Sequence, residues 1–124
     1  MRGLQDRSIV FSIAAIARVI TWVLGTIIVV LSLVPPGGRP QTGAPHALEH
    51  FAIFWATGFA AGIGWQRKQT LVGFFLILFA GLVEIAQLFV PGRHARWSDF
   101  TVDASAAIIG LVLTALPRLV RMDH

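Results

Sequence analysis

Four long apolar runs, each ended by a helix breaker or a charge pair, constrain this chain more than any other feature. A bilayer core about 30 Å thick takes roughly 20 apolar residues as a helix. The first run covers about residues 15–34 and stops at Pro35-Pro36. The second covers about 47–65 and stops at Arg67-Lys68. The third covers about 70–90 and stops at Pro91-Gly92. The fourth covers about 99–116 and stops at Pro117-Arg118. Prolines and paired charges are what ends a helix in such a chain. A transmembrane β-barrel would alternate polar and apolar residues, and these runs are continuous. The expected fold is therefore all-α, a four-helix transmembrane bundle with short loops, with residues 1–124 as one membrane domain. Short connections favour antiparallel neighbours in such a bundle.

Composition narrows the class further. Charged residues make up 13% of the chain, about half the share of a soluble domain. Such a chain could not cover its own surface with polar groups, which excludes disorder and a soluble globular domain. The absence of cysteine excludes a disulfide scaffold and a cysteine-based zinc finger. The net charge of +4 has no basic, aromatic-interleaved polar face behind it, so no nucleic-acid partner is expected.

Arg2 and Arg7 precede an apolar stretch, as in a secretory signal. That stretch is too long for a signal core and lacks a small-residue cleavage site, so it reads as a retained first span. Residues 8–14 read either as an interfacial lead-in or as an extra turn of that helix. With four spans both termini share a side. That side carries Arg2, Arg7, Arg67, Lys68, Arg118 and Arg121, against Arg39, Arg93 and Arg96 on the other. The positive-inside rule then places both termini in the cytoplasm and the protein in the cell (inner) membrane. Arg18, one turn inside the first span, is expected to snorkel to the inner interface.

The scarce acids gather at the other end. Glu49, Glu84, Asp99 and Asp103 fall at outer helix ends, with His46, His50 and His94. Glu84 and Gln87 are three apart and share a helix face. Asp99 and Asp103 are four apart and share another. Thr57 lies two turns below His50. Small residues line the same faces: Gly58 and Ala61; Gly73, Ala80 and Gly81; Ala106, Ala107 and Gly110. Small residues let helices approach closely in a membrane, which turns the polar side chains inward. An ionisable group at the bilayer centre costs about 2.5–3.5 kcal/mol on insertion scales and persists when paired, protonated or wet. Arg93 and Arg96 are the natural partners, and His50 is a second candidate.

Each feature also has a plainer reading. Glu84 with Gln87 could be an interhelical hydrogen-bond pair, and Asp99 the N-cap of the fourth helix. Arg93, His94 and Arg96 could form a solvated loop or meet lipid phosphates. His50 beside Glu49 matches no standard ligand spacing, so neither a metal nor another cofactor is expected. Trp55, Trp65 and Trp97 read as core or interface anchors, and Trp22 as packed within the first span. Phe74, Phe75 and Phe79 read as lipid-facing or packing residues.

The run Glu84-Ile-Ala-Gln87, Pro91-Gly-Arg93, Ser98-Asp99, Asp103 and Gly110 resembles the second half of the VanZ-like family of small membrane proteins. His50-Phe51 resembles that family's His-Phe at the start of a helix, so the likeness covers about residues 20–116. Two positions depart from it. The family's Asp-Lys before the histidine is His46-Ala47 here, and its Asn is Asp103. The resemblance implies a four-helix cell-envelope membrane protein. The family's founding member is associated with resistance to a teicoplanin-type antibiotic. It also implies a polar site of His50, Glu84, Gln87, Arg93, Asp99 and Asp103.

Three functional classes follow. In the first, Arg93 and Arg96 hold an anionic headgroup, and the protein binds or modulates a lipid or lipid-linked envelope component. In the second it is an intramembrane enzyme acting on a lipid or lipid-linked substrate, with Glu84 as general base, Asp99 or Asp103 as its partner and His50 as proton shuttle or ligand. In the third it is a scaffold whose polar residues lock the helices. A channel or pump would need polar groups through the full depth of the bundle.

Overall fold

The computed structural model describes residues 2–34, 46–92 and 97–122. They form α1 (Arg2–Leu33), α2 (His46–Gly64), a one-turn 3-10 helix (Gln66–Lys68), α3 (Gln69–Gln87) and α4 (Trp97–Met122). There is no strand among the described residues. Three stretches are long and apolar enough to cross a membrane: Arg2–Leu33, Gln66–Gln87 and Trp97–Pro117. The second helix falls outside this group, because Glu49, His50 and Thr57 dilute its apolar residues.

Several boundaries differ from the sequence expectation, each for a local reason. The first helix begins at Arg2 and not near Ala15, so residues 8–14 are further turns of it. Ser8 and Ser12 fit there because their hydroxyls donate to the carbonyls of Gln5 and Ser8, at 2.8 and 2.9 Å. The third helix ends at Gln87, three residues early. Its chain then tightens: the N–H groups of Leu88, Phe89 and Val90 each donate three residues back, at 3.1–3.2 Å. Gly92 follows with φ 80°, a left-handed conformation that favours glycine. The fourth helix runs through Pro117 to Met122, where a stop was expected. Proline removes one N–H, and membrane helices tolerate that loss where neighbours compensate. Its first residue is Trp97, so Asp99 lies inside the first turn and not at the N-cap.

The helices alternate in direction. Arg18 of α1 meets Gly64 of α2, and Gln69 of α3 meets Thr114 of α4. The start of α1 and the end of α4 thus lie at one end of the bundle. The most extensive packing, however, is between α2 and α4, which run parallel. Their sequence neighbour α3 packs on α4 and barely touches α2. Small residues explain the preference. A Cβ on Gly58 would strike the backbone carbonyl of Ala107, and one on Gly110 would strike the carbonyl of Trp55. Gly58 and Gly62 are four apart, as are Ala106 and Gly110, so each helix offers a small-residue stripe to the other.

The core is narrow and made of few large side chains: Ile28, Phe54, Leu76, Val83 and Leu111, with alanines between them. Phe79 packs against Phe54, with ring centroids 6.1 Å apart. The outward surface is apolar, as a lipid-facing surface must be, and Phe74, Phe75, Leu78 and Leu82 all lie on it. Trp97 is exposed and fits an interface anchor. Trp22 corrects its expectation: it is 70% exposed and meets Trp65 edge-on, with centroids 6.5 Å apart.

Candidate functional site

At the end of the bundle remote from the termini, three helices each contribute a buried polar side chain. The parallel seam does most of the positioning. With α2 and α4 in backbone contact around Gly58 and Gly110, side chains one or two turns nearer the helix starts are brought together. His50 Nδ1 lies 3.1 Å from Asp103 Oδ1 and 3.3 Å from Oδ2. Asp103 is fully buried, at 0% exposure, and His50 is buried as well. The imidazole also stacks on Phe54, with centroids 6.3 Å apart and planes 24° apart. One face of the pair is therefore aromatic.

A fully buried carboxylate must be neutral or matched. His50 supplies the match. With its proton on Nδ1 the imidazole donates to the Asp103 carboxyl group, and the contact fixes the orientation of the ring. The pair can therefore hold a proton, pass one, or donate a directed hydrogen bond to a ligand. Arg93 and Arg96, the partners the sequence puts first for the acids, lie outside the described residues, and His50 is the second candidate. Among the described residues, His50 is the side chain that meets Asp103. Where the resembled pattern has Asn, this chain has an acid together with a histidine to meet it.

Glu84 and Gln87 are also buried, on the last turns of α3. They continue a stripe of Gly73, Leu76, Ala80 and Val83 that faces the bundle interior. The last turns of α3 lie beside the first turns of α4, where a Cβ on Gly81 would reach ordinary contact with Phe100 at 3.6 Å. Glu84 and Gln87 thus share the bundle end of His50 and Asp103. Asp99 is half-buried one turn before Asp103, where the N-terminal helix dipole favours a carboxylate. Thr57 is buried, but its hydroxyl donates to the Ile53 carbonyl at 2.7 Å. It satisfies itself on its own helix and adds no group to the pair. Arg93, His94 and Arg96 lie outside the described residues, as do the segment 35–45 and the His46 side chain. Among the described residues, no three His, Asp or Glu side chains form a group that could hold a metal ion.

Two features were missed from sequence. One is the parallel α2–α4 seam, whose signal was the four-residue spacing of small residues on both helices. The other is Arg18. Its Nε donates to the Gly64 carbonyl at 2.7 Å, and its guanidinium sits 5.6 Å from the Trp65 ring centre. It caps the last turn of α2 with a cation, where a helix C-terminus favours one.

No curated protein and no solved structure matches the chain. The model of the VanZ/LLP1 family matches residues 8–118, which takes in all four helices almost end to end. With its apolar helices and a family match over most of its length, this chain is a membrane protein that belongs to the VanZ/LLP1 family.

Proposed function

We propose that this protein sits in the cell membrane with both termini cytoplasmic and α2 as a fourth span, and binds a lipid or lipid-linked envelope component at the opposite end. The observation that carries the reading is the buried His50–Asp103 pair, at the same bundle end as buried Glu84 and Gln87. Intramembrane ionisable groups face a bundle interior or a wet cavity and are functional by default. Arg93 and Arg96 add cations in the sequence stretch that joins α3 to α4. Arginine suits a phosphate because its planar fork gives bidentate hydrogen bonds. In this reading Arg93 and Arg96 hold the anionic headgroup. Glu84, Gln87 and Asp99 orient the arginines, and the His50–Asp103 pair supplies a directed donor below them.

Mass spectrometry of lipids retained by the purified protein tests it. The Arg93→Ala/Arg96→Ala variant should lose an anionic or lipid-linked class that the wild type keeps. Unchanged retention sinks the reading. Topology can be mapped cleanly because the chain has no cysteine. Single Leu48→Cys and Arg67→Cys variants should label from opposite sides if α2 spans, and from the same side if it does not.

One observation favours a second reading, an enzyme acting on a lipid-linked substrate. A carboxylate on Nδ1 is the arrangement that prepares an imidazole for proton transfer. Glu84 would then be the second acid–base group. A Glu84→Gln variant keeps shape and loses charge, and full retention of any wild-type activity by it would exclude that role.

A further inference from the structure

The opposite end of the bundle carries a site of its own. The first helix is 32 residues long, about 48 Å, whereas α2 and α3 have 19 residues each, about 28 Å. Because Arg18 is level with Gly64 at the end of α2, the sixteen residues before it overhang by about 24 Å. Between this overhang and the turn from Ile63 to Lys68 lies a cavity of about 790 Å³, within the range of about 300–1,000 Å³ typical of ligand sites.

Its lining is divided by chemistry. Arg7 and Arg18 come from one face of α1, eleven residues or three turns apart, and Arg67 and Lys68 come from the turn. Asp6 is the one acid among the lining residues, so the cavity holds four cations against one carboxylate. Val10, Phe11, Ile63 and Trp65 supply the apolar part. Arg18 is already fixed, by the Gly64 carbonyl and the Trp65 ring, and that bond uses only one of its five N–H donors. A guanidinium held in place loses little freedom on binding an anion, which favours affinity.

Lipid is the occupant that fits both halves. Trp65, Arg67 and Lys68 end the apolar part of α2 and so mark the headgroup level. Beyond that level α1 still exposes Ile9, Val10, Phe11, Ile13 and Ile16. An apolar helix longer than the local bilayer is met by tilt or by lipid rising around it. Basic pockets between membrane helices are where anionic headgroups bind. We infer that this cavity binds the phosphate of an anionic phospholipid between Arg7, Arg18, Arg67 and Lys68, with the lipid's apolar part against Phe11 and Trp65. The site is independent of the His50–Asp103 end.

The test uses the full chain in detergent and native mass spectrometry. Phosphatidylglycerol and phosphatidylcholine are offered at equal concentration, with millimolar inorganic phosphate as a third arm. The wild type should retain phosphatidylglycerol over phosphatidylcholine. The Arg7→Gln/Arg67→Gln/Lys68→Gln variant changes only exposed side chains and should reduce that preference at least five-fold, with phosphatidylcholine retention and unfolding temperature unchanged. Asp6→Asn should raise the preference. Arg93→Ala/Arg96→Ala should leave intact the share of the preference that the triple variant loses, which separates this site from the outer one. An equal preference in wild type and triple variant overturns the inference. So does displacement of phosphatidylglycerol by inorganic phosphate, which would mark a free-anion site. A preference lost only in the outer-end variant overturns it as well.

Discussion

At one bundle end α2 and α4 run side by side, backbone against backbone, and enclose His50 and Asp103. At the other, α1 leaves α2 at Gly64 and continues with its flank open and its arginines exposed. Both ends place polar groups in a chain that has few. The closed end buries charge and must pair it within the protein. The open end keeps charge at the interface, where water or lipid phosphate can match it. The same substitution chemistry should therefore be severe at one end and mild at the other.

The seam between the ends should give the largest effect. Gly110→Leu would drive a side chain into the Trp55 carbonyl and the Phe59 N–H, neither of which can rotate away. Overpacking a core typically costs about 1–3 kcal/mol and sometimes more. Here the helices themselves must part, so the expected loss is at least about 3 kcal/mol, with the His50–Asp103 contact broken as a consequence. Unfolding in detergent checks this. A Gly110→Leu protein as stable as wild type would mean that the parallel seam is wrong.

The second effect belongs to the pair itself. His50→Ala leaves Asp103 buried without its match, and breaking a buried pair from one side costs about 3 kcal/mol. Asp103→Asn keeps the shape and an acceptor for Nδ1–H, and interhelical hydrogen bonds in membranes are worth about 0.6–2 kcal/mol. Asp103→Asn should therefore cost about 1 kcal/mol, clearly less than His50→Ala. Equal losses would show that the carboxylate charge, and not the hydrogen bond, ties α2 to α4. If Asp103→Asn has no effect on stability but removes lipid retention, the residue serves a ligand more than the fold.

Much of this was legible in the sequence, and the reason is physical. Apolar run length against bilayer thickness fixes how many helices there can be, and all four appear. The rule that costly charges turn inward led to Glu84, Gln87, Asp103 and His50, which are all buried. What stayed hidden depended on pairing in three dimensions. Short loops suggest that sequence neighbours pack together, yet α2 prefers α4, because both carry glycine where the backbones meet. Run boundaries marked by breakers misjudged the fourth helix, since Pro117 removes one hydrogen bond and does not end a helix that its neighbours hold. Arg18 looked like a lone snorkelling charge, because its partner is a backbone carbonyl, and no side-chain pattern announces one.

The open end offers the milder test. Arg18→Ala removes one charge-assisted hydrogen bond to Gly64 and a cation over Trp65. Hydrogen bonds to charged groups contribute about 1.5–3 kcal/mol in stability series. Part of that returns here, because the Gly64 carbonyl lies near the interface, where water or a neighbouring lipid can replace the donor. About 1 kcal/mol is expected, and Arg18→Lys should recover some of it by keeping the cation near the helix terminus. Unfolding midpoints of the two variants decide this. An Arg18→Ala loss as large as that of His50→Ala would erase the contrast, and would make Arg18 the pin that holds α1 to the bundle.

The smallest effect should come from the lipid-facing surface. Phe74 is 62% exposed and meets Phe75 edge-on, with centroids 5.8 Å apart. In water such a ring would be a liability, but in lipid its surroundings are as apolar before folding as after. Replacing it by leucine therefore changes neither transfer energy nor core volume, and a shift within about 0.5 kcal/mol is expected, the range of ordinary surface substitutions. Phe79 is the matched control, because it is half-buried and packs on Phe54 beneath His50. Phe79→Ala opens a cavity at the closed end and should cost about 3 kcal/mol, as truncated core phenylalanines do. If Phe74→Leu proved the costlier of the two, the face of α3 turned to lipid would be the one now assigned to the bundle, and Glu84 and Gln87 would turn outward with it.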